Sequence, residues 1–154
     1  MNISVLALDG VFDTGLATVL DTFATANELA PAAGMPMPDF RVSVVGMRSR
    51  VSTANGMKVP TLVAEQAPRP DWVIVPALGC KMPETLVPAL ARPDVRDGLA
   101  WLRDCATEGA SLAAACIGTF VLGEAGLLDG REATTTWWLT PLFRQRYPGV
   151  HLSP

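Results

Sequence analysis

Histidine is almost missing from this sequence, His151 being the only one in 154 residues. That excludes a histidine-rich metal site, and any imidazole chemistry would rest on one residue near the end of the chain. Cysteine is sparse as well. Cys80, Cys105 and Cys116 make an odd count with neither CxxC nor metal-like spacing, which fits reduced thiols in a reducing compartment. Charge is thin: 12 Lys and Arg against 15 Asp and Glu leave a net charge of −3 and a pI near 5.0. Such a chain has no electrostatic footprint for a nucleic-acid backbone, since the arginines gathered at 41–50 and 144–146 are balanced elsewhere. Long apolar runs are absent too. The longest uncharged stretch, Gly109 to Gly123, is shorter than the ~18 residues a membrane span requires. The opening MNISVLALDG has no basic region and meets Asp9 early, so no secretory signal is expected and the expected location is cytoplasmic.

What is present is apolar. Hydrophobic residues make up 49% of the chain, which excludes disorder and supplies the core of one domain. ISVLAL at 3–8, FRVSVVG at 40–46, Trp72–Val75 and Ser111–Ala115 read as buried strands. Asn55-Gly56 between β-formers in 51–59 predicts a hairpin, and Ala133–Thr135 a further short strand. Leu16, Val19, Leu20, Phe23, Ala24 and Asn27 share a helical face, with Asp13 or Thr14 available as N-cap and Pro31 with Gly34 closing the helix. Pro83–Leu90 reads as short and broken by Pro88. A longer helix starts from Asp94 as N-cap and carries Val95, Leu99, Leu102 and Ala106 inward to Gly109. Helical sequence returns at 117–125 and around Leu139, Leu142, Phe143 and Tyr147. Strands alternating with helices imply an α/β fold with a mostly parallel sheet and sites at the carboxyl ends of its strands. Val150–Leu152 starts like a strand that the chain does not complete, so the expectation is a piece of something longer.

The segment with the most chemistry is Ser111–Gly118, SLAAACIG. A strand runs directly into a helix with Cys116 at the junction, Ala114 two before it and Gly118 two after, which is the spacing of a nucleophile elbow. Small neighbours are needed because strand and helix backbones approach closely there. Amides such as that of Ile117 then point toward an oxyanion or anionic ligand. The competing reading is an ordinary buried cysteine. A nucleophile also needs a base. Ile117 cannot serve, His151 is 35 positions away, and the remaining partners are Asp9 or Asp13, the latter equally a helix N-cap. Cys80, after Pro76-Ala-Leu-Gly79 at a strand end, either lines the same pocket or is a plain loop residue. Cys105 is expected in the core, Trp137 and Trp138 either both buried, the simplest reading, or with one ring in the core and the other at a partner surface, and Arg144 and Arg146 on a solvated face.

Four stretches carry a family resemblance: LDGVFDTGLATVLDTFATANEL, DWVIVPALG, RPDVRDGLAWLRDCATEGASL and ACIGTFVLGEAGLLDGREATTTWWLTPLFRQRYPGVHL. Together they closely resemble the amino-terminal domain of AraC/XylS-type transcriptional regulators with a PfpI-like, class I glutamine amidotransferase-like fold. The resemblance implies a flavodoxin-like three-layer sandwich over 1–154, shortened at its C-terminal end. The helix-turn-helix domain of such regulators lies outside this chain. It matches Cys116 to the superfamily's reactive cysteine and Gly118 to its elbow glycine. Protease-like members place histidine where this chain has Ile117, and some relatives place one where it has Thr136, so both positions for a catalytic base are empty. The expected function is therefore ligand sensing and dimerisation, with no cofactor or metal. A small effector, polar or amine-containing by analogy, would sit near Asp13, Gly79, Cys80, Cys116 and Ile117, and DNA would be reached only through the other domain. The alternatives are a Cys-dependent hydratase- or deglycase-like enzyme and a dimerisation module without a ligand.

Overall fold

The computed structural model describes residues 1–153. Strand β1 (Asn2–Leu6) leads through a loop into α1 (Asp13–Ala32), followed by β2 (Arg41–Gly46). The hairpin β3 (Arg50–Ser52) and β4 (Lys58–Pro60), the short β5 (Leu62–Val63) and β6 (Trp72–Val75) come next. Helices α2 (Pro83–Leu90) and α3 (Pro93–Thr107) precede β7 (Ser111–Ala114) and α4 (Gly118–Glu124). The described chain ends with β8 (Glu132–Ala133), α5 (Thr140–Arg146) and β9 (His151–Leu152).

The main sheet has the order β5-β2-β1-β6-β7, and every pairing in it is parallel. Val5 faces Val44 on one side and Ile74 on the other, which places β1 at the centre. Alternation along β1 then builds the layers. Ile3, Val5 and Ala7 pack with Leu16 toward α1, whereas Leu6 and Leu8 join Val95, Leu99, Leu102 and Phe120 on the opposite face. Strand β6 repeats the division, with Val73 and Val75 on the α3–α4 side and Ile74 toward α1. Helices on both faces of a parallel sheet are the expected three-layer α/β sandwich. Phe120, Phe143 and Tyr147 stack edge-to-face at centroid distances of 4.9, 4.7 and 5.9 Å and tie α5 to α4. No helix among the described residues is long and apolar enough to cross a membrane.

Several local expectations need correction. Phe12, not Asp13 or Thr14, occupies the N-cap position of α1, and no side chain caps it. Arg92 stands at the N-cap of α3, which puts Pro93 in the first turn and leaves Asp94 buried as the partner of the Arg92 guanidinium at 3.0 Å. Pro88 does not break α2, because Leu86, Ala89 and Leu90 anchor that helix in the core. Ala24 is exposed, and the inward face of α1 runs on through Ala30 instead. Both tryptophans lie at the surface, Trp137 with 82% of its area exposed, because the tight turn 137–139 sends Leu139 into the core in their place. Arg144 and Arg146 are both exposed as expected, and Arg146 in addition pairs with Glu124 beside Tyr147. The strand at 151–152 lies outside the main sheet and pairs in parallel with β8.

Candidate functional site

Three strand ends meet at the carboxyl edge of the sheet, following β1, β6 and β7. The loop after β1 is bound to the loop after β6 by two hydrogen bonds: the Phe12 amide donates to the Ala77 carbonyl at 2.8 Å, and Gly79 to the Gly10 carbonyl at 2.7 Å. Gly79 has to be glycine here, because a Cβ would stand 2.2 Å from that of Ala54 in the hairpin turn. The Ala54 amide donates to the Val11 carbonyl at 2.9 Å, so the turn between β3 and β4 closes over the same loop.

Cys116 stands where β7 passes into α4. Its φ of +55° makes it the only non-glycine residue in the left-handed region among the described residues. The Ala115 amide donates to the Val75 carbonyl at 3.0 Å, which carries the sheet ladder to the last residue before the turn. Two residues on, a Cβ at Gly118 would lie 2.3 Å from the Val75 carbonyl oxygen, so α4 approaches β6 closer than any side chain permits. The Thr119 hydroxyl donates to the Cys116 carbonyl at 2.6 Å and stands 3.0 Å from the Thr135 hydroxyl. The result is an exposed thiol on a backbone held from three sides. Cys105 contrasts with it: burial, reinforced by Glu108 and Asp104, pushes that thiol up to about 11.

A cavity of about 290 Å³ opens at the thiol. Phe12, Ala77, Leu78, Gly79, Cys116 and the buried Ile117 line it, together with Lys81 and Trp138, which are exposed. The Trp138 indole N–H donates to the Lys81 carbonyl at 2.8 Å, which holds the ring in place. The Lys81 ammonium lies 5.8 Å from the centroid of Phe12.

Of the residues singled out in the sequence, Gly79, Cys116 and Ile117 line this cavity. Cys80 is half-buried and packs against the core from the adjoining loop. Gly118 acts through backbone clearance. The Asp13 carboxylate is engaged by the hairpin turn: it accepts the Thr53 hydroxyl at 2.5 Å, the Asn55 side-chain amide at 3.0 Å and the Asn55 backbone amide at 3.2 Å. These bonds, that from Thr53 foremost, hold its carboxyl below the ordinary range, partial burial working against them. The Asp9 carboxylate accepts the Ser52 amide at 2.8 Å and faces Arg48 at 3.7 Å. His151 is exposed in the β8–β9 ladder opposite Glu132. The Thr136 hydroxyl is buried with no partner among the described residues. Sequence reasoning missed Phe12, Leu78, Lys81 and Trp138. The first three sit in strand-end loops, a position that flags them, while nothing local to Trp138 marks it. Among the described residues no cluster of three or more His, Cys, Asp or Glu could hold a metal ion.

Comparison with known proteins adds a lineage to this geometry. The profile of the DJ-1/PfpI family matches residues 1–147. A protein encoded in the cpoL 5′ region of Streptomyces lividans is 32% identical over 146 residues, covering 94% of this chain and 93% of that protein. The HTH-type transcriptional regulator CdhR of Pseudomonas aeruginosa is 33% identical over 103 residues, 67% of this chain but only 28% of the regulator. Among solved structures, an AraC family transcriptional regulator from Pseudomonas putida superposes with a TM-score of 0.76 at 22% identity, over 99% of this chain and 76% of that one.

Proposed function

The chain belongs to the DJ-1/PfpI family, and on that premise we propose that it is the ligand-sensing and dimerising domain of an AraC-type transcriptional regulator. The observation that carries this reading is the make-up of the cavity. The elbow thiol opens into a space walled by carbon, and Ile117, 2% exposed, occupies the place next to the cysteine where a base would act. A ligand there touches loops from three strand ends together with Trp138, so closing on it couples β1, β6 and β7 to the surface beyond. If the ligand favours one arrangement of a homodimer, binding shifts the equilibrium between arrangements by its difference in affinity. Residues 1–154 act in this reading as one sensor domain in the cytoplasm. DNA is contacted by a helix-turn-helix part of the whole protein, in keeping with the acidic pI near 5.0 of these residues.

The test is the reading frame beyond the codon for Pro154. Continuation into two helix-turn-helix motifs is the expected result; termination shortly after residue 154 would overturn the regulator reading.

One observation favours a second reading, a Cys-dependent hydratase- or deglycase-like enzyme: Cys116 is exposed and held at φ +55°. Its acid–base partner would be Asp9 or Asp13, whose carboxylates are already engaged, Asp9 by the Ser52 amide and Arg48 and Asp13 by Thr53 and Asn55. Under that reading Cys116→Ser abolishes turnover. Under the sensor reading the same variant keeps its ligand affinity.

A further inference from the structure

The cavity at Cys116 also discriminates between kinds of ligand, a deduction that rests on the sensor reading above. Away from the elbow, whose Cys116 and Ile117 amides have no acceptor among the described residues, its walls offer little hydrogen bonding. The amides of Phe12 and Gly79 are spent on the carbonyls of Ala77 and Gly10, and that of Gly118 on Ala115. The Trp138 indole N–H is spent on Lys81. No carboxylate lines the space, and the nearest acidic residue in sequence, Asp13, is committed to the hairpin. The Lys81 ammonium remains. It makes no ion pair among the described residues and lies over Phe12.

We propose that this cavity binds a small monocarboxylate with an aromatic or branched aliphatic body, the body seated on Phe12, Leu78, Ile117 and Trp138 and the carboxylate turned outward to Lys81. The volume of about 290 Å³ sets the size, at the lower end of the ~300–1,000 Å³ typical of small-molecule sites. Apolar walls supply most of the affinity, and the single cation selects the sign of the charge. An amine, the class to which family analogy pointed, meets the opposite conditions. No acid receives it, and Lys81 already stands over the one phenyl ring of the wall, where a second cation is repelled.

The experiment follows alkylation of Cys116 by iodoacetamide, read by peptide mass, in the presence of phenylacetate, phenylacetamide or phenethylamine. These probes share a body and differ in charge. Phenylacetate is expected to protect the thiol at concentrations roughly two- to fivefold lower than phenylacetamide, as an exposed charge pair allows. Phenethylamine is expected to need concentrations roughly two- to fivefold higher than phenylacetamide. In Lys81→Met the carboxylate and the amide protect equally; the exchange is tolerated because the side chain is exposed and the Trp138 bond uses the Lys81 backbone. Equal or better protection by the amine, or a carboxylate preference that survives Lys81→Met, overturns the proposal. In that case protection by the amide or the amine leaves the sensing cavity standing, so only the charge assignment is lost. Failure of all three probes to slow alkylation overturns the proposal, while the sensor reading is decided separately by the reading frame beyond Pro154.

Discussion

Cys116 is an L-residue in a backbone region that disfavours a Cβ, at a cost of roughly 1–2 kcal/mol. It stays there because the Ala115 amide, the Thr119 hydroxyl and the close approach at Gly118 fix the chain on both sides of it. Cys116→Gly should therefore stabilise the protein by roughly 0.5–1 kcal/mol, the relieved strain less the added chain entropy of glycine. Urea denaturation measures it, and a loss of stability would show that the turn is not strained. Asp13 supports the same region by a different interaction. Because Thr53 and Asn55 bond its charged form, its folded-state pKa lies below the unfolded value of 3.8. Its contribution is thus complete above about pH 4 and disappears as pH falls through the folded value. The melting difference between the wild type and Asp13→Asn, present at pH 7, should shrink below about pH 4. Parallel melting curves at all pH values would rule the interaction out.

At the scale of elements, the junction of β7 and α4 packs backbone directly on backbone. A Cβ at position 118 would press on the Val75 carbonyl at 2.3 Å and the Pro76 carbonyl at 3.0 Å, both of them backbone and unable to swing aside. Gly118→Ala should cost about 3 kcal/mol or more and loosen the cavity. Chemical denaturation together with the rate of Cys116 alkylation checks both effects. This junction was legible in the sequence, because a cysteine flanked by small residues between an apolar strand and a helix fits little besides a sharp strand-to-helix turn. Strands β1, β2, β6 and β7 were legible as well, since each apolar run ends at a turn residue, but the two-residue edge strand β5 was not. Nor were helix starts. Asp13 and Asp94 look like caps by residue type, yet Asp13 meets the hairpin turn and Asp94 meets Arg92, partners that lie in no local pattern or appear only once Arg92 folds back over the β1 loop.

Across the whole molecule, the sheet order puts β2, β1 and β6 inside and leaves β5 and β7 as edges. Beside β7 runs a hollow of about 430 Å³ lined by Leu112, Leu122, Leu127 and Leu128. Native-state hydrogen exchange should accordingly find the slowest amides in β1 and β6 and markedly faster ones in β5 and β7. Uniform protection across the sheet would contradict this gradient. An edge left open also favours association, in line with the proposed dimer.

Features that depend on neighbours along the chain were legible in residue order: an α/β fold from alternating strands and helices, the hairpin at Asn55-Gly56 and the turn at Cys116. Tertiary packing decided which distant residues meet. Phe12, Lys81, Cys116 and Trp138 share one cavity because parallel strands deliver all their carboxyl ends to the same edge, and no periodicity records which loops a crossover will place side by side. The same reason explains Trp137 and Trp138. Their hydrophobicity predicted burial, but the core space at that turn was taken by Leu139, and competition for a fixed volume is settled only when the chain is packed.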